Sequence, residues 1–154
     1  MVCSIDHLAS QAGISAIRQG GNAVDAAIAT NAVLAVTSQH MCGLGGDLFA
    51  LVHEPGGERP HALNASGRSG SGADARALRA EGHTVMPMKG DIRSVTVPGC
   101  VDGWLALHER FGRLPLQIVL EPAVHYASGG FPVSPLLAFM APQVAGLPGG
   151  SDFL

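Results

Sequence analysis

Residues 20–51 read GGNAVDAAIATNAVLAVTSQHMCGLGGDLFAL. Apolar positions in the first half favour no single face. Ala23, Ala26, Ala27, Ala29, Ala32 and Ala35 are spread around a helical projection that runs from Ala23 to about Thr37. A helix that is apolar all round belongs between other layers rather than on a surface. This one is predicted to be wedged between a sheet and a second helix layer, its small side chains admitting neighbours on more than one side. Asn22 precedes it as an N-cap. Asp25 follows three residues later, where a carboxylate reaches back to the cap N–H and meets the positive end of the helix dipole.

Periodicity organises the rest of the chain. Asp6 caps a helix predicted over 7–19, with Leu8, Ala12, Ala16 and Ile17 as its apolar stripe, and Gly20 and Gly21 stop it. Residues 2–4 read as the end of a short strand. Residues 47–54 read as a buried strand and 61–66 as a second, joined by a Pro55-Gly56-Gly57 turn into a hairpin. GRSGSG at 67–72 is a flexible loop, 73–81 a short helix, 82–90 a loop and 94–97 a short strand. A helix is predicted over 101–110 with Val101, Trp104, Leu105 and His108 on one side. Another spans 115–128, with Pro115 in its first turn. Pro122 requires that helix to start later or to bend. A last helix spans 134–144, with Pro135 at its start. Helices with an antiparallel hairpin make the fold class α+β. No internal repeat or linker divides the chain, so 1–154 is read as one domain without an internal boundary, and the final GGSDFL does not resemble a finished terminus.

Composition narrows the options. Of 154 residues, 14% are charged and 47% apolar, with 21 Gly and 10 Pro. A typical soluble domain carries about 25% charge, so much of this surface is expected to lie against something else. Net charge is -3 and there is no basic stripe; Arg68, Arg76 and Arg79 are the only local concentration. That argues against a nucleic-acid partner. The longest apolar stretch, 26–36, falls well short of the ~20 residues that span a membrane, so no membrane partner is expected. No basic region followed by an apolar run opens the chain, which points to the cytoplasm. A leader removed beforehand would instead mean a periplasmic or secreted protein.

Three candidate sites carry chemistry. Cys3, Cys42 and Cys100 are odd in number and far apart, so no disulfide framework is read. Cys42, beside a glycine-rich turn, is either a nucleophile or a small buried hydrophobe, and the second reading is preferred because no His–Asp pattern accompanies it. The seven His show no zinc spacing, and neither a metal nor a cofactor is expected. GLGG at 43–46 feeds a strand rather than a helix, which disfavours a phosphate cradle; it either permits a close backbone approach or lines a cleft. In LNASGR at 63–68 a strand ends and a glycine-flanked loop presents Arg68. Its guanidinium fork matches a carboxylate in bidentate fashion, although a solvated loop arginine is the plainer reading of this stretch alone. SVTVPGCVDGWLALHERFG at 94–112 is read as scaffold, with no catalytic part for Asp102 or His108.

Taken together, LASQAG, GGNAVDAAIA, CGLGGDLFAL, LNASGR and SVTVPGCVDGWLALHERFG resemble the γ-glutamyltransferase (γ-glutamyltranspeptidase) family, in order and spacing over about 1–147. The GLGGDLF and LNASGR variants look more like its acylase-like branch. The resemblance implies an N-terminal nucleophile hydrolase, an αββα sandwich of which this chain is the N-terminal part of the large subunit. It implies a precursor that cuts itself, exposing an N-terminal Thr that attacks a γ-glutamyl or related acyl amide. Thr30, Thr37, Thr84 and Thr96 do not match the processing motif, so no catalytic residue is expected in this chain, which alone is expected to be inactive. Arg68 stands where the family's arginine binds the substrate α-carboxylate, although Ser66-Gly67 precede it where many members have Asn-Ala-Arg. The implied partners are that small-molecule amide and the remainder of the precursor, including the small subunit. The competing readings are a non-catalytic module that binds small acids and an inactive truncated remnant.

Overall fold

The computed structural model describes residues 1–87 and 91–143. In chain order they form α1 (His7–Arg18), α2 (Ala23–Thr37), β1 (Leu48–Val52), β2 (His61–Ala65), α3 (Ala75–Ala80), a 3-10 turn (Ile92–Ser94), α4 (Cys100–Phe111), α5 (Leu116–Gly129), α6 (Pro135–Met140) and a second 3-10 turn (Ala141–Gln143). Part of the loop expected at 82–90, the end of the helix expected at 134–144 and the final residues lie outside the described residues.

The predicted caps form. Asp6 accepts from Leu8 N–H at 2.7 Å. Asn22 accepts from Val24 and Asp25, and Asp25 accepts from Asn22 N–H at 2.8 Å, closing a capping box. Helix α1 packs on α2 through small residues: Ala9, Ala12, Gly13 and Ala16 are buried, whereas Ile17, expected in the stripe, is 42% exposed. Close approach selects the smaller side chains here. A Cβ at Gly13 would collide with the Thr30 hydroxyl and stand 2.8 Å from Val2 Cγ1.

Helix α2 is the hub, packed by α1 on one flank, α5 on another and α4 more lightly. On the hairpin side, Leu48, Ala50, Val52 and Leu63 pack against the core that α2 shares with Cys100, Trp104 and Leu107 of α4. Val24, Ile28, Ala29, Ala32 and Val33 are buried, but Ala23 and Ala27 are exposed. With Asn31 and Leu34 they line an open groove of about 740 Å³, closed on its other side by Met1 to Ile5. The hydroxyls of Thr30 and Thr37 and the Nδ1 of His40 are buried without a hydrogen-bond partner among the described residues.

The hairpin pairs antiparallel, Leu48 opposite Ala65 and Val52 opposite His61. Both strands alternate between half-buried and exposed positions, which corrects the reading of 47–54 as a buried strand. Leu48 lies against Gly103 of α4, while Phe49 is 66% and Leu51 75% exposed on the opposite face.

Other elements also differ from expectation. Residues 2–4 form no strand; there the Ser4 hydroxyl bonds Ser10 Oγ and the Asp6 carbonyl instead, each at 2.7 Å. The strand expected at 94–97 is a 3-10 turn and an extended segment, because it finds one loop carbonyl to bond rather than a ladder. On α4 the buried side is Cys100, Gly103, Trp104 and Leu107, whereas Val101 and Leu105 are exposed. The helix turns Gly103 and Leu107, not Val101 and Leu105, toward the hairpin. Helix α5 runs through Pro122 without ending there. The hydrogen bond lost at a helix proline costs about 3 kcal/mol, offset here by packing of the buried Val119 and Ala123.

Candidate functional site

The turn at 43–46, the exit of β2 and the start of α4 meet in one cluster of backbone contacts. Gly46 N–H donates to the Gly43 carbonyl at 3.1 Å, and the Gly46 carbonyl accepts from Gly99 N–H at 3.2 Å and Cys100 N–H at 3.0 Å. GLGG therefore presents a carbonyl to the first N–H groups of α4, satisfying donors that every helix start leaves open. A Cβ at Gly43 or Gly45 would meet nothing within 4 Å, so these glycines serve the turn itself rather than contact with another segment. Gly99 sits so near β2 that a Cβ there would overlap the Ala65 carbonyl.

At the exit of β2, Asn64 Oδ1 accepts from Ser66 N–H at 3.0 Å, an Asx turn that bends the chain out of the strand. Gly67 follows with φ +76°, and a Cβ on it would overlap the Val97 carbonyl. The Arg68 carbonyl then accepts from Val97 N–H at 2.8 Å. The Arg68 side chain is exposed and engages no carboxylate among the described residues. It lines neither the groove along α2 nor a depression of about 160 Å³ between β2 and α4. Arg76 and Arg79 stand exposed on α3.

The cysteines are free thiols. Cys42 directs its sulfur at the Ser38 carbonyl, 3.9 Å away, and burial pushes its pKa up. Burial does the same to Cys100, with smaller contributions from the nearby Cys42 and Asp47 charges. A raised thiol is the reverse of an activated nucleophile, which weighs against the nucleophile reading, while the Cys42 side chain is half-buried rather than buried. In the 94–112 stretch, Trp104 Nε1 donates to Asn31 Oδ1 at 2.8 Å, tying α4 to α2, and His108 Nε2 bonds the Leu114 carbonyl at 2.7 Å. Asp102 is exposed in the first turn of α4. The Trp104 and His108 bonds hold α4 against its neighbours.

Two features escaped the sequence reading. Asn31 receives both the Trp104 indole and, at 3.8 Å, the Cys100 thiol; the signal was the one amide side chain in α2. His61 is held between Glu54, 2.8 Å from its Nε2, and Arg110, 3.1 Å from its Nδ1. No local pattern marks that trio, because Arg110 lies on α4, 49 positions from His61.

The Gamma-glutamyltranspeptidase family model matches residues 9–146. The chain is 47% identical to the glutathione hydrolase-like YwrD proenzyme of Bacillus subtilis over 134 residues, which is 87% of this chain and 25% of that protein. It is 40% identical to the oxamate amidohydrolase proenzyme of Klebsiella pneumoniae over 139 residues, 87% of this chain and 26% of that one. Among solved structures it superposes on the cephalosporin acylase of Bacillus halodurans with a TM-score of 0.81 and 42% identity, covering 90% of this chain and 25% of that one. The chain thus spans about a quarter of the length of these relatives. With the family model covering most of its length, the chain belongs to the gamma-glutamyltranspeptidase family.

Proposed function

We propose that this chain is the N-terminal part of the large subunit of a self-processing amidase that cleaves γ-glutamyl or related acyl amides. The nucleophile is an N-terminal Thr supplied by sequence outside this chain. Its own α-amine serves as the base, and backbone N–H groups stabilise the tetrahedral oxyanion. The part played here is recognition: Arg68 pairs with a carboxylate on the acyl portion of the substrate. The observation that carries this reading is the exposed guanidinium of Arg68 at the end of β2, on a loop whose backbone is held at Gly67 and Val97. Glutathione and oxamate, after which two of the relatives are named, each bear a carboxylate on the acyl portion, which fits such a site.

The bare face of the hairpin supports an αββα sandwich. Phe49 and Leu51 form an apolar surface that a second sheet would cover. The open stripe of Ala23, Ala27 and Leu34 agrees with further packing there.

The test is to express the complete gene product and examine it by intact mass and N-terminal sequencing. Self-cleavage ahead of a Thr, followed by turnover of γ-glutamyl-4-nitroanilide or oxamate, is expected. A complete product that neither cuts itself nor turns over any carboxylate-bearing amide removes the enzyme reading and favours the binding module or the inactive remnant.

A further inference from the structure

An arginine on a flexible loop loses much of its worth as a carboxylate clamp, because binding must first order it. GRSGSG reads as such a loop, yet the root of Arg68 is fixed on three sides. The Asx turn of Asn64 and Ser66 sets the exit from β2. Gly67, at φ +76°, presses its α-carbon against the Val97 carbonyl. Val97 N–H donates to the Arg68 carbonyl at 2.8 Å. The brace continues inward: Gly99 lies against the Ala65 carbonyl and donates its N–H to Gly46. The segment at 95–99 is thereby clamped between the GLGG turn and the arginine loop.

We infer that Gly67 and the backbone N–H of Val97 are positioning residues for substrate recognition, holding Arg68 in the register at which its fork meets the substrate carboxylate. This rests on the proposed part of Arg68 and assigns the loop's stiffness to a segment 29 positions further along the chain, 97 against 68. Gly67 suits the position for two separate reasons. Its φ lies where a side chain is strained, and there is no space for a Cβ. Val97 contributes through its backbone alone, since its side chain is 54% exposed.

The experiment uses the complete gene product and compares Arg68→Ala, Gly67→Ala, Val97→Pro and the Gly67→Ala/Arg68→Ala double variant. Self-cleavage into subunits and the melting temperature report folding. KM and kcat are measured with γ-glutamyl-4-nitroanilide and with its α-carboxamide, which lacks the carboxylate. Gly67→Ala and Val97→Pro are each expected to raise KM for the carboxylate donor about 5–30-fold, the factor that 1–2 kcal/mol represents. They should leave kcat and the carboxamide donor nearly unchanged and add little to Arg68→Ala. A second readout needs no turnover: trypsin should cut after Arg68 faster in both variants, relative to its cut after Arg79. KM and trypsin rates equal to the parent's in both variants, with Arg68→Ala still raising KM, overturn the positioning inference alone. An unchanged KM in Arg68→Ala itself overturns the recognition reading, and this inference with it.

Discussion

The backbone N–H of Arg113 donates to both carboxylate oxygens of Asp25, at 3.1 Å each, across 88 positions of chain. The same carboxylate accepts from Asn22 N–H at 2.8 Å and Leu114 N–H at 3.4 Å, and Asp25 is fully buried. Asn22 completes the link by donating its amide to the Phe111 carbonyl at 2.5 Å. One capping box thus satisfies the start of α2 and also fixes the turn between α4 and α5. Asp25→Ala would leave those part-buried N–H groups without their acceptor, and a loss of about 1–3 kcal/mol is expected from such groups. Urea midpoints of the complete protein at neutral pH check it against Asp102→Ala, an exposed aspartate expected to stay within about 0.5 kcal/mol of the parent.

Gly13→Ala should separate α1 from α2. Its methyl group would meet Thr30, Val2 and the Ala26 carbonyl at once, and overpacking of this kind costs about 1–3 kcal/mol. Calorimetry should show a lower Tm, whereas Gly70→Ala, with open space around its Cβ position, should melt within a degree or so of the parent, as surface substitutions generally do.

Arg68→Lys distinguishes a fork from a point charge. Lysine keeps the charge but not the paired donors, so KM for a carboxylate donor should rise less than in Arg68→Ala. For Ala a rise of about 10–100-fold is expected from losing a charge-assisted pair. Equal KM values for all three proteins would remove Arg68 from the site.

The thiols should react in order of access. Cys3 is exposed, Cys42 half-buried and Cys100 buried. Because burial raises the pKa of Cys42 and Cys100, each forms less thiolate at neutral pH than a free cysteine would. Iodoacetamide followed by peptide mass mapping should label Cys3 first, and labelling of the other two should accelerate only as pH climbs above the ordinary thiol value. Rapid labelling of Cys42 at neutral pH would reopen the nucleophile reading.

The Asp91 carboxylate takes a bidentate contact from the Arg93 guanidinium, which also bonds Glu81 at 2.9 Å. The side-chain hydrogen bond from Arg93 comes first in holding Asp91 down at about 2, against an ordinary 3.8. A depressed acid stabilises the fold above its unfolded pKa and loses that contribution as pH falls through the folded value, so the window is from about 4 down to about 2. The side chains are solvent-exposed, so the effect on stability is small, and the measurable quantity is the carboxyl titration by NMR. Its midpoint should lie near 2 and return toward the ordinary carboxylate value in Arg93→Gln.

Much of this molecule was legible as local chemistry. Asp6, Asn22 and Asp25 announced two helices and their caps because capping depends on side chains two or three residues from the N–H groups they satisfy. The hairpin was legible from two short strand-like runs joined by a Pro-Gly turn, although the alternation of its faces was not. What escaped was which face meets which. The stripe of α4 was misread because Gly103, unremarkable in sequence, is the residue that admits Leu48 and Ala65. Likewise Ile17 gave way to Gly13 and Ala9 where two helices approach closely.

By itself, the sequence determined the family, the caps, the order of the main helices and the hairpin, and the arginine worth testing, since each is written in neighbouring residues or in a contiguous motif. Only the tertiary structure decided that the GLGG carbonyl receives the start of α4, that Val97 braces Arg68, and that Asp25 binds the α4–α5 turn. Those contacts join segments tens of residues apart. They exist because backbone donors and acceptors removed from water must find partners wherever the packed chain brings them, and no local pattern records where that is.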